Sequence, residues 1–321
     1  GVVPFFRSYF AHIRMFSRNA RLFLAGSFFF GFGWGTFWVL ENLYFREIGL
    51  PEGTIGRILA FQSLGTVVVA IPASLLASRV RLKGLLIAAA VLTAASYSVL
   101  VTAYPLPILF LASSFAGAAF MVHHVVAAPF FMRNSTPRER IYLFGINWAV
   151  EMLAGVIAVA GGGWLARYLG QILESDVLGL RITLLVAAGV LLLAVIPYLL
   201  IHSPKPAPED ALDIRFWRLR PPRILSRLLV PPFLVGLGAG LIIPFLNLYF
   251  RDRFDLDSGS IGGIFAAGQI ITALGFVVGP VLARRFGTLL GRFHVQGLKH
   301  HDLAVQNLLI RPREDGDWDL W

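Results

Sequence analysis

The sequence predicts an all-α membrane protein: a bundle of six spans, followed by two more that repeat its beginning. Three observations carry this reading. The composition is too apolar for a water-soluble domain, basic and neutral connections alternate along the chain, and one stretch is duplicated across a proline-rich linker. Of 321 residues, 57% are hydrophobic and 14% charged, against roughly 25% charged in soluble domains. A net charge of +10 in a soluble protein would suggest nucleic acid. Here the basic residues lie between apolar runs and read as topology signals, so no nucleic-acid partner is expected. The chain has no cysteine, which excludes disulfides, thiolate chemistry and cysteine metal sites. It begins at Gly1, so a start is expected upstream. Its first apolar run is already long enough to span, so no signal peptide is expected.

Apolar runs of spanning length occupy about Leu22–Phe45, Thr54–Ala77, Gly84–Val101, Leu106–Met132, Ile141–Ala166, Leu178–Ile201, Leu228–Phe250 and Ser260–Ala283. Each is expected to be helical, because a segment in lipid must satisfy its own backbone polar groups. One set of connections carries eighteen Lys and Arg. The alternate set carries five: Arg46, Arg167, Arg181, Arg251 and Arg253. Short cytoplasmic loops hold the basic excess. The N-terminus is therefore expected in the cytoplasm, in a multi-pass protein whose partner is the lipid bilayer. The longest connection, about His202–Arg227, opens on a Pro-rich stretch and reads as a tether between halves. Part of it, Asp213–Arg220, has the alternative of a short basic amphipathic helix on the membrane surface.

Self-similarity across that linker sets the architecture. "GFGWGTFWVLENLYFR" (Gly31–Arg46) faces "GLGAGLIIPFLNLYFR" (Gly236–Arg251) at a constant offset of 205. Gly31, Gly33 and Gly35 recur as Gly236, Gly238 and Gly240, and Asn42–Arg46 is identical to Asn247–Arg251. One inserted residue later, Ile55-Gly56 matches Ile261-Gly262, and Arg79 matches Arg285. Spans one and two thus recur as seven and eight in the same orientation.

Parallel repeats of this kind resemble the six-plus-six plan of the major facilitator superfamily, over roughly residues 15–287. "SLLASRVRLK" (Ser74–Lys83) looks like the family's signature loop through Arg79 and Lys83, although serines replace its glycine and aspartate. The second copy, "PVLARRFG" (Pro280–Gly287), keeps Arg285 and Gly287. "GGWLARYLG" (Gly162–Gly170) is similar to the glycine-rich close of the family's fifth helix, where small residues let helices approach. The Gly-Pro pair and the fourth-span arginine of drug–proton antiporters are absent, which weakens an exporter of that type. The resemblance implies a secondary transporter of a small-molecule solute working by alternating access, expected in a bacterial inner membrane, with no cofactor and no enzymatic activity. The expected organisation is a cytoplasmic segment 1–21, a first bundle 22–201, a linker 202–227, two spans of a second bundle 228–287 and a tail 288–321. Four spans of the second bundle are expected to be missing, so the chain as given is not expected to complete a transport cycle.

Ionisable groups inside a span are costly and are functional candidates. Glu151 lies eleven residues past Arg140, roughly 16 Å deep at about 1.5 Å per residue. Asn147 shares its helical face. This pair reads either as a proton or cation site or as a hydrogen bond between helices. Of His123 and His124, about 100° apart on a helix, one is expected to pack and His124 is the candidate for a cavity. Glu41 and Asn42, with the repeat mate Asn247, sit near the outer ends of their spans and suggest a shared gate or cap, which symmetry of the fold also explains. Gln62 is a further pathway candidate. Trp34, Trp38, Tyr44 and Phe45 read as packing and interface anchors rather than a substrate box. No metal spacing appears in the spans.

The tail raises a competing class. "FHVQGLKHHDLAVQNLLI" (Phe293–Ile310) has the spacing His300-x-Asp302-x4-Asn307, which suits a phosphotransferase loop: the aspartate takes the acceptor's proton and the asparagine reaches magnesium. It resembles the catalytic loop of the Kdo and lipopolysaccharide-core kinase family. The alternative function is thus a membrane-linked fusion to such a kinase, active only if the lobe were completed. About 30 residues without a Gly-rich loop or nucleotide lysine cannot hold Mg-ATP. The three residues are expected to be vestigial, beyond a junction near Gly287–Gly291 made by gene fusion or sequence assembly. One hairpin is expected at Asn307–Trp321.

Overall fold

Ser17 caps the first helix, its Oγ accepting the Ala20 N–H at 3.1 Å, and α1 runs from Arg18 to Glu47. The computed structural model describes residues 16–202, 222–273, 310–312 and 318–320. Gly49 turns the chain at φ +82°, a conformation open to glycine at little cost, and its N–H bonds the Arg46 carbonyl at 2.9 Å. Helices α2 (Glu52–Arg79), α3 (Leu82–Thr102), α4 (Leu106–Asn134) and α5 (Pro137–Ile172) follow on short connections.

Proline interrupts two of the predicted spans. The sixth divides into α6 (Asp176–Leu192) and α7 (Val195–Leu200), because Pro197 has no N–H to continue the ladder. The seventh divides into α8 (Pro222–Ile242), a 3₁₀ turn (Ile243–Phe245) and α9 (Leu246–Phe254) around Pro244. The eighth, predicted over Ser260–Ala283, is described only to residue 273, as helix α10 over residues 258–273. Among the described residues, seven segments are long and apolar enough to cross a bilayer.

By compactness the chain divides into Gly1–Gln269 and Ile270–Trp321. In the first unit α1 packs on α5 and α6, α2 on α4, and α3 on both α4 and α6. Lipid chains are as apolar as leucine, so close fit and buried polar contacts hold such helices together. The glycines show where. A Cβ on Gly65 of α2 would lie 1.9 Å from the Ser114 carbonyl oxygen of α4, and one on Gly117 would lie 1.9 Å from that of Gln62. Ser113 Oγ ties the same crossing to the Ile58 carbonyl at 2.7 Å. In the first glycine triplet, Gly31 and Gly35 face α5 while Gly33 meets Leu191 of α6. In the second, Gly236, Gly238 and Gly240 have nothing within 4 Å among the described residues. The fifth-helix glycines work as expected: Gly162 lies against Thr36, and Gly163 against Ser258 and Gly262 of α10.

Within Ile270–Trp321, two short strands, β1 (Ile310–Pro312) and β2 (Trp318–Leu320), pair antiparallel with Arg311 opposite Asp319. They fall inside the predicted hairpin. Arg285, Gly287, His300, Asp302 and Asn307 lie outside the described residues.

Candidate functional site

Two constellations stand out, one inside the bundle and one at its predicted outer end. The inner one is centred on Glu151. Asn147, one turn earlier on α5, donates its Nδ2 to Glu151 Oε1 at 2.9 Å, and His124 of α4 brings Nε2 to 4.0 Å from Oε2. Asn147 Oδ1 is buried with no hydrogen-bond partner among the described residues. Phe120 lies under His124 with ring centroids 4.2 Å apart, and Trp34 stacks on Phe120 at 5.4 Å. Trp38 continues this aromatic stripe to Phe265 of α10. A carboxyl beside an amide donor and an imidazole can take up a cation or exchange a proton with the ring. Among the described residues no group of three His, Asp or Glu is placed to hold a metal.

The two histidines part as the helical geometry demands. His123 is buried, stacked on Phe30 at 3.9 Å and bonded through Nε2 to the Tyr198 hydroxyl at 2.7 Å. Gln62 does not join Glu151. Its main-chain carbonyl lies in the α2–α4 crossing and accepts from Thr66 Oγ1 at 3.1 Å. Gln269 was not singled out from sequence, yet its side chain lies against Gly155, one turn beyond Glu151. It is an intramembrane amide in the eighth span, the kind of signal that had marked Asn147.

The second constellation explains the repeated Asn–Arg motif. Asn42 Nδ2 donates to the Pro244 carbonyl, and Asn247 Nδ2 donates to the Val39 carbonyl at 2.6 Å. Val39 and Pro244 are themselves repeat mates at the offset of 205. The arginines exchange partners likewise: Arg46 reaches Asp252 at 3.3 Å, and Arg251 reaches Glu47 at 2.7 Å. Glu47 and Asp252 share the same offset. Each half of the contact is therefore the pseudo-two-fold image of the other. Arg251 also bonds Asp176 at 3.0 Å, and Arg167 pairs with Asp257 at 3.5 Å. Burial works to raise the Asp257 carboxyl. Hydrogen bonds from the Ser260 N–H and Oγ, with the Arg167 charge, nevertheless hold it below its ordinary value. A hollow of about 200 Å³ remains among these groups.

Glu41 takes no part in this contact. It is buried within α1, and its Oε1 has no hydrogen-bond partner among the described residues. In the connection that resembles a signature loop, Lys83 Nζ donates to the Leu199 carbonyl at the end of α7 at 2.5 Å. Ser78, read from the sequence as replacing an aspartate of that loop, bonds its own helix at the Leu75 carbonyl, and Arg79 is exposed.

The profile described as Major Facilitator Superfamily matches residues 23–294. The multidrug resistance protein MdtG of Serratia proteamaculans (strain 568) is 28% identical over 186 residues, covering 56% of this chain and 42% of that protein. Crystal structures of a bacterial homologue of the human lysosomal transporter Spinster match as well. The inward-facing, unoccupied form has 15% identity and a TM-score of 0.66, covering 84% of this chain and 62% of that one. The inward-facing, occupied form has 16% identity and a TM-score of 0.64, covering 83% and 61%. The chain thus spans less than two thirds of the length of these proteins.

Proposed function

Because the chain belongs to the Major Facilitator Superfamily, we propose that it serves secondary active transport of a small solute by alternating access. The reciprocal contact between α1 and the Pro244–Asp252 segment carries this reading. Two duplicated halves meet through identical groups related by a pseudo-two-fold, which is the contact that a rocking motion between halves has to break and remake. We name it the latch. Basic connections at the opposite end support an outer position for the latch and a cytoplasmic N-terminus. Reporter tags in the Gly170–Val177 connection and at Pro206 test this orientation. The first is expected outside and the second inside, and a Pro206 tag read from outside reverses it.

Proton coupling is assigned in this proposal to Glu151, with Asn147 orienting its carboxyl and His124 as the neighbouring exchange partner. In a full-length relative that carries this span, Glu151→Gln is expected to abolish or uncouple transport, and Glu41→Gln to have the smaller effect. Wild-type uptake with an unchanged pH dependence in Glu151→Gln would reduce the residue to helix packing. The name MdtG speaks of drug resistance for that protein. In this chain the antiporter residues noted above are missing, so the solute class proposed stays at a small molecule. The kinase-like spacing beyond residue 294 adds nothing to this function.

A further inference from the structure

We propose that the basic end of the first bundle binds the phosphate of an anionic phospholipid headgroup between Arg18 and Arg133. A hollow of about 580 Å³ opens there, lined by residues 17–19 where α1 begins and 133–136 where α4 ends. Both helices are membrane spans, so the hollow sits at the level where a bilayer presents its headgroups.

The walls are fixed by bonds among themselves. Ser17 Oγ donates to the Asn134 carbonyl at 2.9 Å. Asn19 Nδ2 reaches Asn134 Oδ1 and the His202 carbonyl, each at 2.7 Å. Asn134 Nδ2 donates to Phe130 at 2.9 Å, and Ser135 Oγ to Phe131 at 2.6 Å. These amide and hydroxyl donors are therefore engaged. The two guanidinium groups form no ion pair among the described residues.

Among the side chains that the structure describes, charge at this end is of one sign. Arg21, Arg79, Arg81 and Lys83 also lie here, while every described carboxylate of the connections lies at the latch end. A guanidinium presents paired N–H donors that match phosphate oxygens, and it is weakly hydrated. Basic pockets between spanning helices at the membrane surface take phosphate headgroups. The site needs the family's membrane topology but not proton coupling at Glu151, so the two readings fail separately.

The test uses the whole chain in detergent, titrated with phosphatidylglycerol or phosphatidylcholine of matched acyl chains. Bound lipid is counted by native mass spectrometry and melting is followed in parallel. Phosphatidylglycerol is expected to bind preferentially and to raise the melting temperature. Arg18→Gln with Arg133→Gln is expected to weaken that binding about tenfold or more, whereas the charge-matched pair Arg79→Gln with Arg81→Gln leaves it in place. Equal binding of the two lipids, or equal loss in both double variants, overturns the site in favour of diffuse charge. Inorganic phosphate that displaces phosphatidylglycerol and protects as well by itself overturns the lipid assignment.

Discussion

Replacing Asn42 and Asn247 together by leucine is expected to open the latch. Each amide satisfies a carbonyl of the opposite half, and both asparagines are buried. Removing a partner from a buried acceptor costs about 1–3 kcal/mol, so the pair shifts the closed–open balance by at least tenfold, at about 1.4 kcal/mol per decade. The exposed or half-exposed ion pairs around them contribute less, about 1 kcal/mol or below each. Arg46→Gln or Arg251→Gln is therefore expected to move the balance only slightly. The absence of native cysteine makes the measurement direct. A single cysteine at Leu248, which is buried at the latch, should label slowly with a membrane-impermeant thiol reagent. In the double leucine variant it should label about tenfold faster or more. A cysteine at Leu86, buried in α3, should stay unreactive in both, which separates opening from unfolding. Unchanged labelling at Leu248 would mean that the contact closes nothing.

Leucine at Gly65 or Gly117 is expected to prevent the first bundle from assembling. The atoms that an added Cβ would meet at 1.9 Å are main-chain carbonyl oxygens, which cannot rotate aside as a side chain can. Overpacking of ordinary cores costs about 1–3 kcal/mol. Here α2 and α4 must separate along their whole crossing, losing the Ser113–Ile58 and Thr66–Gly117 bonds. A fall in apparent melting temperature of about 10 °C or more is expected in detergent, with loss of the monodisperse species. Leucine at Gly161 or Gly189, with nothing within 4 Å among the described residues, should be tolerated. Equal tolerance at all four positions would show that the close α2–α4 approach is not required.

The sequence by itself determined the fold class, the order of the spanning segments that the structure describes, and the kinship of the two halves. Each depends on signals that survive without contacts. A span needs about 20 apolar residues because it must close its own hydrogen bonds in lipid, and a duplication is visible as a constant offset. Glu151 and Asn147 were legible as a pair for the same reason, since a spacing of four on one helix fixes their meeting. His124 could be named only as a candidate, because its approach to Glu151 joins α4 to α5. Tertiary structure alone decided that the repeated Asn–Arg motif is one contact made twice: Asn42 and Asn247 lie 205 residues apart, and no local pattern says which carbonyl each will find. It also decided that Glu41, beside Asn42 in sequence, stays out of that contact. Adjacent residues on a helix point about 100° apart, and the packing of the neighbouring helices selects which of them meets the other half.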